Sequence, residues 1–412
     1  MGEYYDALET RDPEQREREL RAALPLQIAH AKANAPAFAR LLEKVDPADV
    51  KDRRALADLP VTRKSELSDL QHGDPPFGGL AAVPPGSLAR IFASPGPIYE
   101  PEGHRRDYWR LARALFAAGF RAGEIVHNTF SYHLTPAGSM LETGAHAIGC
   151  AVIPGGVGQT EQQVRAIADL KPHGYTGTPS FLRILLAKGK ELGADTGSLR
   201  KALLSGEAYT KPMREEFAAE GVAAVQCYVT ADIGLIAYES VGSSGEGMIL
   251  DENLIVEIVR PGTNTPVPPG EVGEIVVTTL TPEYPMIRFG TGDLSAFLEG
   301  HSPCGRTNHR IKGWMGRADQ SAKIKGMFVH PPQIAEIVNR HKEIIRARLV
   351  VTRDAVTDIM TLKVEMGEPA ENPATIAQTL QAVTKLRGSV EVVPQGSLPN
   401  DGKVIDDRRT YE

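Results

Sequence analysis

The chain is poor in residues that would staple, anchor or steer it. It has only 3 cysteines in 412 residues, and Cys150, Cys227 and Cys304 stand far apart with no CxxC pair. That excludes a disulfide framework or a zinc ribbon. No apolar run approaches the ~20 residues that a membrane-spanning helix needs, so no membrane partner is expected. Nor is there an excess of charge of one sign: 46 basic against 52 acidic residues leave -6, no electrostatic footprint for nucleic acid. The opening MGEYYDALETRDPEQREREL is too charged for a secretory signal, and a reduced, cytoplasmic setting is expected.

What is present is an ordinary globular composition, 42% hydrophobic and 24% charged, in a chain long enough for two or three domains at roughly 100–200 residues each. From Pro13 to about Leu42 the apolar spacing Leu20, Leu24, Ile28, Ala31 predicts a helical pair interrupted at Pro25. Between Glu124 and Tyr228, short apolar runs alternate with helical stretches, which argues for a mostly parallel sheet covered by helices. Thr160 with Gln163 reads as a capping box for one of those helices. From Leu254 to Leu298, strands separated by turns read as an antiparallel or barrel-like segment. Beyond Gly316 the order strand, helix, two strands, helix, strand describes a unit that can fold alone. The expected class is therefore mixed α/β: a large N-terminal domain over residues 1–316 and a small C-terminal α+β domain over 317–412.

The stretch IFASPGPIYEPEG, Ile91 to Gly103, starts like a strand entering a phosphate-binding loop, yet it lacks what such a loop uses. Ser94 and Gly96 are its only suitable residues; Pro95, Pro97 and Pro101 remove backbone donors, and Glu100 and Glu102 bring negative charge. Three other stretches matter by their order and spacing: MIRFGTGDLSAF (Met286–Phe297), GRADQSAKIKG from Gly316, and LPNDGKVIDDRR (Leu398–Arg409). With DLPVTRKSEL (Asp58–Leu67), HNTFSYHLTPAG (His127–Gly138), GTPSFLRILL (Gly177–Leu186), SGEAYT (Ser205–Thr210) and PCGRTNHRI (Pro303–Ile311), they resemble the phenylacetate–coenzyme A ligase family of adenylate-forming enzymes across nearly the whole chain.

The resemblance implies a carboxylic acid attacking the α-phosphate of ATP to give acyl-AMP, then coenzyme A displacing AMP to give a thioester, with Mg²⁺ as the accompanying ion. It implies Lys403 as the catalytic cation between two anions. It also implies a nucleotide site from Ser94, Gly96, Gly206, Glu207, Ala208, Tyr228, Asp232, Asp293 and Arg317, with Asp293 on the ribose and Asp232 as the Mg²⁺ ligand, and a hinge at Asp319. Phe130, Tyr132, His133 and Pro136 fall where the family lines its acid pocket, so a flat, mostly apolar acid is expected. The partners implied are that small acid and coenzyme A, with a homodimer left open. Departures stand beside the likeness. The family's "SSGTTGKPT" is SPGPIYEPE here, with Glu100 for its lysine, and its "YGLTE" is YVTAD, with Ala231 for the threonine and Asp232 for the glutamate. The positions of a structural zinc read Ser240, Met248 and Ser302, leaving Cys304 alone, and no zinc is expected. A protein that binds nucleotide or acyl-coenzyme A without efficient ATP activation, whether a binding protein or an acyl transferase, is the alternative these departures raise.

Overall fold

The computed structural model describes residues 3–318, 322–324, 327–354, 357–367 and 372–409. The charged opening folds as a helix, Pro13–Asn34, capped by the Asp12 carboxylate, which accepts a bond from the Gln15 amide. Leu20, Leu24, Ile28 and Ala31 are all buried along it. The helix continues through Pro25, where a break was expected, and the break falls at Ala35, ahead of the helix Pro36–Leu41. The apolar face on both sides of Pro25 outweighs the ~3 kcal/mol that an interior proline typically costs.

A nine-stranded sheet follows. Five of its strands are parallel, in the order Ala151–Pro154, Ile125–Asn128, Gly174–Gly177, Lys201–Leu204, Ala223–Thr230. Gly234–Tyr238 and Met248–Leu250 extend it antiparallel. The helices Ala137–Ala147, Thr160–Leu170, Pro179–Leu192 and Lys211–Ala219 alternate with these strands as the sequence predicts. The capping box does not form: the helix at Thr160 has Gln159 at its N-cap with no side-chain bond. Gln163 turns its amide away instead, donating to the carbonyl of Gly156 at 3.0 Å and that of Gly158 at 2.6 Å, and so pins the preceding loop.

In a second, four-stranded sheet, Thr62–Arg63, Phe289–Ser295, Gly273–Thr279 and Leu254–Val259 lie in that order. A third runs Ser389–Val393, Thr357–Met366, Ile344–Asp354, Ile405–Asp407 and is covered by Pro331–Arg340 and Pro373–Thr384. Its core is built from Leu349, Val351, Leu362, Val364, Ile376 and Leu380.

Two compact units emerge. One comprises Met1–Val256, Val277–Phe289 and Leu298–Trp314; the other Glu257–Val276, Gly290–Phe297 and Met315–Glu412. Compactness thus groups two segments from before residue 316 with the C-terminal chain. Within that second unit Asn400 accepts a bond from the Val272 amide at 3.1 Å, and Gly262 lies against Pro331 and Pro332. Among the described residues no helix is long and apolar enough to cross a membrane.

Candidate active site

In an open sheet of parallel strands, ligands gather outside the carboxyl ends of the strands. Here those ends carry Thr129 and Phe130, Thr178, Ser205 to Glu207, and Asp232. The resemblance pointed to most of these positions, and the parallel order of the sheet brings them to one edge.

At this edge lies a cavity of about 420 Å³ lined by Thr129, Phe130, Ser131, Thr135, Ala137, Val157, Gly158, Thr178, Ser180, Phe181 and Ile184. Phe130 lines it, while Tyr132, His133 and Pro136 are not among the residues that line this cavity. The chain turns at Leu134, which adopts φ 63, so Tyr132 packs over Gly138 and its hydroxyl accepts a bond from the Asn128 amide at 2.8 Å. His133 is exposed. Phe181 and Ile184 were missed; they lie one turn apart on the helix Pro179–Leu192, a spacing visible in FLRI. Gly206, with φ 81, stands against Thr178 and Phe130, where a Cβ would meet their side chains at 3.6 and 3.7 Å. Glu207 accepts a bond from the Ser180 hydroxyl at 2.8 Å, and Ala208 is exposed beside it.

The stretch that lacked phosphate ligands is a tight antiparallel hairpin, Arg90–Ser94 with Ile98–Glu102, in which Ser94 pairs with Ile98 around Pro95, Gly96 and Pro97. Its two carboxyl groups are buried. Glu100 is fully buried, and the Ser94 hydroxyl donates to its Oε1. Burial first, with a contribution from the charge of Asp232, pushes the Glu100 carboxyl up to about 8, so at neutral pH it is protonated. Glu102, also buried, is bonded by Arg90 at 2.8 Å and Ser139 at 2.7 Å. The negative charge expected at this loop is therefore neutralised or paired.

Tyr228 is buried in the strand Ala223–Thr230, and Asp232 is 4% exposed just beyond it. The Lys64 ammonium donates to Asp232 Oδ2 at 2.6 Å, while Asp232 Oδ1 and Glu100 Oε2 are buried without a hydrogen-bond partner. An orphaned, buried carboxylate oxygen is a donor atom that suits Mg²⁺, which takes one or two carboxylates and completes its shell with water and phosphate. Lys64, within DLPVTRKSEL, is not among the residues the sequence singles out.

In the second unit, Asp293 is 8% exposed and accepts a bond from Arg317 Nη1 at 3.2 Å. The two residues form a backbone bridge, flanked by Ala318 N–H to Gly292 O at 2.7 Å. Gly292 adopts φ 75, and a Cβ there would come within 2.9 Å of the Arg317 guanidinium, so glycine is what lets this pair close. The turn carrying Lys403 lies against the same strand: Gly402, with φ 70, has no room for a Cβ, which would meet Val272 at 2.6 Å and Leu294 at 3.0 Å. The Lys403 side chain is exposed, and its backbone N–H donates to Asp401 at 3.0 Å. Asp319 lies outside the described residues.

At the positions that the resemblance gives to a structural zinc, the Ser240 hydroxyl meets that of Ser243 at 3.0 Å, Ser302 lies 3.1 Å from the Cys304 sulfur, and Met248 is buried. Burial would raise the Cys304 thiol, but hydrogen bonds from Ser240, Ser302 and Arg306 bring it down to about 7.

Comparison with known proteins follows the same lines. The family model for AMP-binding enzymes matches residues 107–281. The chain is similar to the phenylacetate–coenzyme A ligase of Thermus thermophilus, 34% identical over 358 residues that cover 83% of this chain and 79% of the relative. It is also similar to the enzymes of the same name from Aromatoleum evansii, 33% identical and covering 87% and 84%, and from Escherichia coli, 31% identical and covering 91% and 90%. Among solved structures, a 2-hydroxyisobutyryl-CoA ligase in its postadenylation state, bound to an acyl-AMP, superposes with TM-score 0.73 at 25% identity, covering 97% of this chain and 91% of the other. The same ligase with its acyl-AMP and coenzyme A in the thioesterification state gives 0.71, also at 25% identity, covering 98% and 91%.

Proposed function

The chain belongs to the phenylacetate–coenzyme A ligase family, and from that premise we propose that it activates a small, mostly apolar carboxylic acid, an aryl acid by preference. It is an AMP-forming acid–coenzyme A ligase. The observation that carries the substrate class is the cavity at the sheet edge, where Phe130, Phe181, Ile184 and Val157 supply apolar walls and Thr129, Ser131 and Ser180 a few polar groups.

Each half of the reaction makes a demand that this chain's residues meet. An acid is already ionised at neutral pH, so adenylation needs no general base, only relief of the repulsion between carboxylate and phosphate. Lys403 is the cation proposed for that, and one such contact is worth ~10²–10³ in rate. Asp293, held by Arg317, accepts hydrogen bonds from the ribose hydroxyls; the loop from Ser205 to Ala208 borders both adenine and acid. Asp232 Oδ1 would hold Mg²⁺, whose chemistry when bound is to neutralise the polyphosphate. Residues 317–412 move about Asp319 between the two half-reactions in this proposal, with coenzyme A entering for the second. A cytoplasmic enzyme fits the same reading.

The alternative of a binding protein or acyl transferase, raised by Pro97, Ile98, Glu100 and Ala231, is not favoured by the ligase relatives, and burial removes one of its grounds by holding Glu100 protonated. The test is formation of AMP and a thioester from ATP, coenzyme A and a panel of carboxylic acids. Turnover of aryl acids ahead of hydroxylated aliphatic acids is expected; no thioester from any acid would reject activation, and preference for the hydroxylated acids would reject the pocket assignment.

A further inference from the structure

The loop between the strand Ala151–Pro154 and the helix Thr160–Leu170 borders the cavity at the sheet edge and has little of its own to hold it. Three of its residues are left-handed: Gly156 at φ 64, Gly158 at φ 73 and Gln159 at φ 49. For a residue with a side chain, as Gln159 has, that conformation costs roughly 1–2 kcal/mol, and the helix that follows has no side-chain cap. Yet Val157, 68% exposed, and Gly158 form part of the cavity wall. A wall set on such a loop is only as well placed as whatever ties it down.

The tie is a buried pair. An amide nitrogen carries two N–H groups, and those of Gln163 meet the carbonyls of Gly156 and Gly158, one on either side of Val157. That use fixes the other end of the amide. Its oxygen faces His127 Nε2 at 2.7 Å, so this ring nitrogen carries the proton. His127 is fully buried on the strand Ile125–Asn128, and burial holds its pKa below the usual range, which keeps the ring neutral. His127 Nδ1 has no hydrogen-bond partner among the described residues, so a proton there would be unsatisfied, and the Nε2–H tautomer is favoured again. Gly155 makes room for the pair: a Cβ would fall 2.6 Å from Gln163 Oε1 and 3.1 Å from His127 Cε1. The next residue on the strand, Asn128, takes the Gly156 N–H on its carbonyl at 3.1 Å, just before Thr129 and Phe130 enter the cavity wall.

We propose that Gln163, oriented by His127, is a positioning residue for acid selection: it clamps the peptides on either side of Val157, so that this side chain bounds the cavity at its open side and limits the length of acid admitted. Neither Gln163 nor His127 lines the cavity, so the effect passes through Val157. The proposal rests on the ligase reading above and adds to it the group that sets substrate length.

The experiment measures thioester formation from phenylacetic acid and from its longer homologue 3-phenylpropionic acid, with the wild type, Gln163→Leu, Val157→Ala and the double variant Gln163→Leu/Val157→Ala. The readout is the ratio of kcat/KM for the shorter acid to that for the longer one. Gln163→Leu should lower this ratio ~10-fold, the worth of one or two neutral hydrogen bonds, through the KM for the acids and with the KM for ATP within about twofold of wild type. Val157→Ala should lower it by a similar factor. Because one residue acts through the other, the double variant should fall no further than the larger single effect, within about twofold. If Gln163→Leu fails to fold, the same ratio is read in Gln163→Asn, whose amide is one methylene too short to reach His127 and both carbonyls together. An unchanged ratio in Val157→Ala, effects that multiply in the double variant, or a KM for ATP that rises with that for the acids overturns the proposal. No thioester from any acid with the wild type would overturn the ligase reading, and this assignment with it.

Discussion

The hairpin at residues 90–102 and the turn at residues 290–294 are both nucleotide-side elements by resemblance, and they have been treated in opposite ways. Around Asp293 the ordinary means are intact: a glycine at φ 75, a backbone bridge to Arg317, and an ion pair whose arginine is 48% exposed. In the hairpin the polar means are gone, and a carboxyl occupies the place of a cation. It is tolerated because it is buried, bonded by Ser94 and protonated, not because it faces an ion. A charged residue type in a sequence is therefore not a charge in a site; the surroundings decide its protonation.

That contrast can be broken or sharpened at four places. Lys403→Ala should lower acyl-AMP formation by ~10²–10³ while sparing thioester formation from synthetic acyl-AMP, because only the first half-reaction brings two anions together. Separate assays of the two half-reactions read this directly, and equal loss in both would remove the assigned role.

At Glu100 the expectation concerns stability. Its folded carboxyl titrates near 8, above the ordinary 4.5. The folded state therefore keeps a proton that the unfolded state releases, and stability falls as pH rises from about 4.5 to about 8. Glu100→Gln removes that dependence. It should match the wild type near pH 4.5 and exceed it by roughly 3 kcal/mol at pH 7, at about 1.4 kcal/mol per pH unit. Urea unfolding at the two pH values checks it; a variant less stable at pH 7 than at pH 4.5, relative to wild type, would contradict a buried neutral acid.

On the intact side, Gly402→Ala forces a Cβ to within 2.6 Å of Val272 in a left-handed backbone. A cost of about 1–3 kcal/mol is expected. It should appear as slower adenylation, since Lys403 is the next residue, with the acid KM unchanged. The smallest effect belongs to the pocket: Phe181→Ala should raise the KM for an aryl acid by ~10-fold or less and leave ATP binding alone. A change in ATP affinity would move Phe181 out of the acid pocket.

Much of this was legible beforehand. The alternation of strands and helices and the C-terminal order of elements could be read from spacing, and the resemblance offered Asp293, Arg317, Lys403, Gly206 and Phe130 as candidates, since local patterns and short motifs survive in a linear string. What could not be read depended on neighbours distant along the chain. Gln163 looked like a cap but serves loop carbonyls; Tyr132 looked like a pocket wall but is drawn to Asn128. Lys64 looked like a motif residue until Asp232, far away in sequence, was found 2.6 Å from it.

Periodicity and residue type were enough to specify the helix-covered parallel sheet and the family, because burying an apolar face at a fixed repeat is a local requirement. Which carboxyl is protonated, which side chain lines the cavity and which lysine pairs with Asp232 were settled by packing. Desolvation and pairing depend on atoms brought together from opposite ends of the chain, and no spacing in the sequence encodes the distances between them.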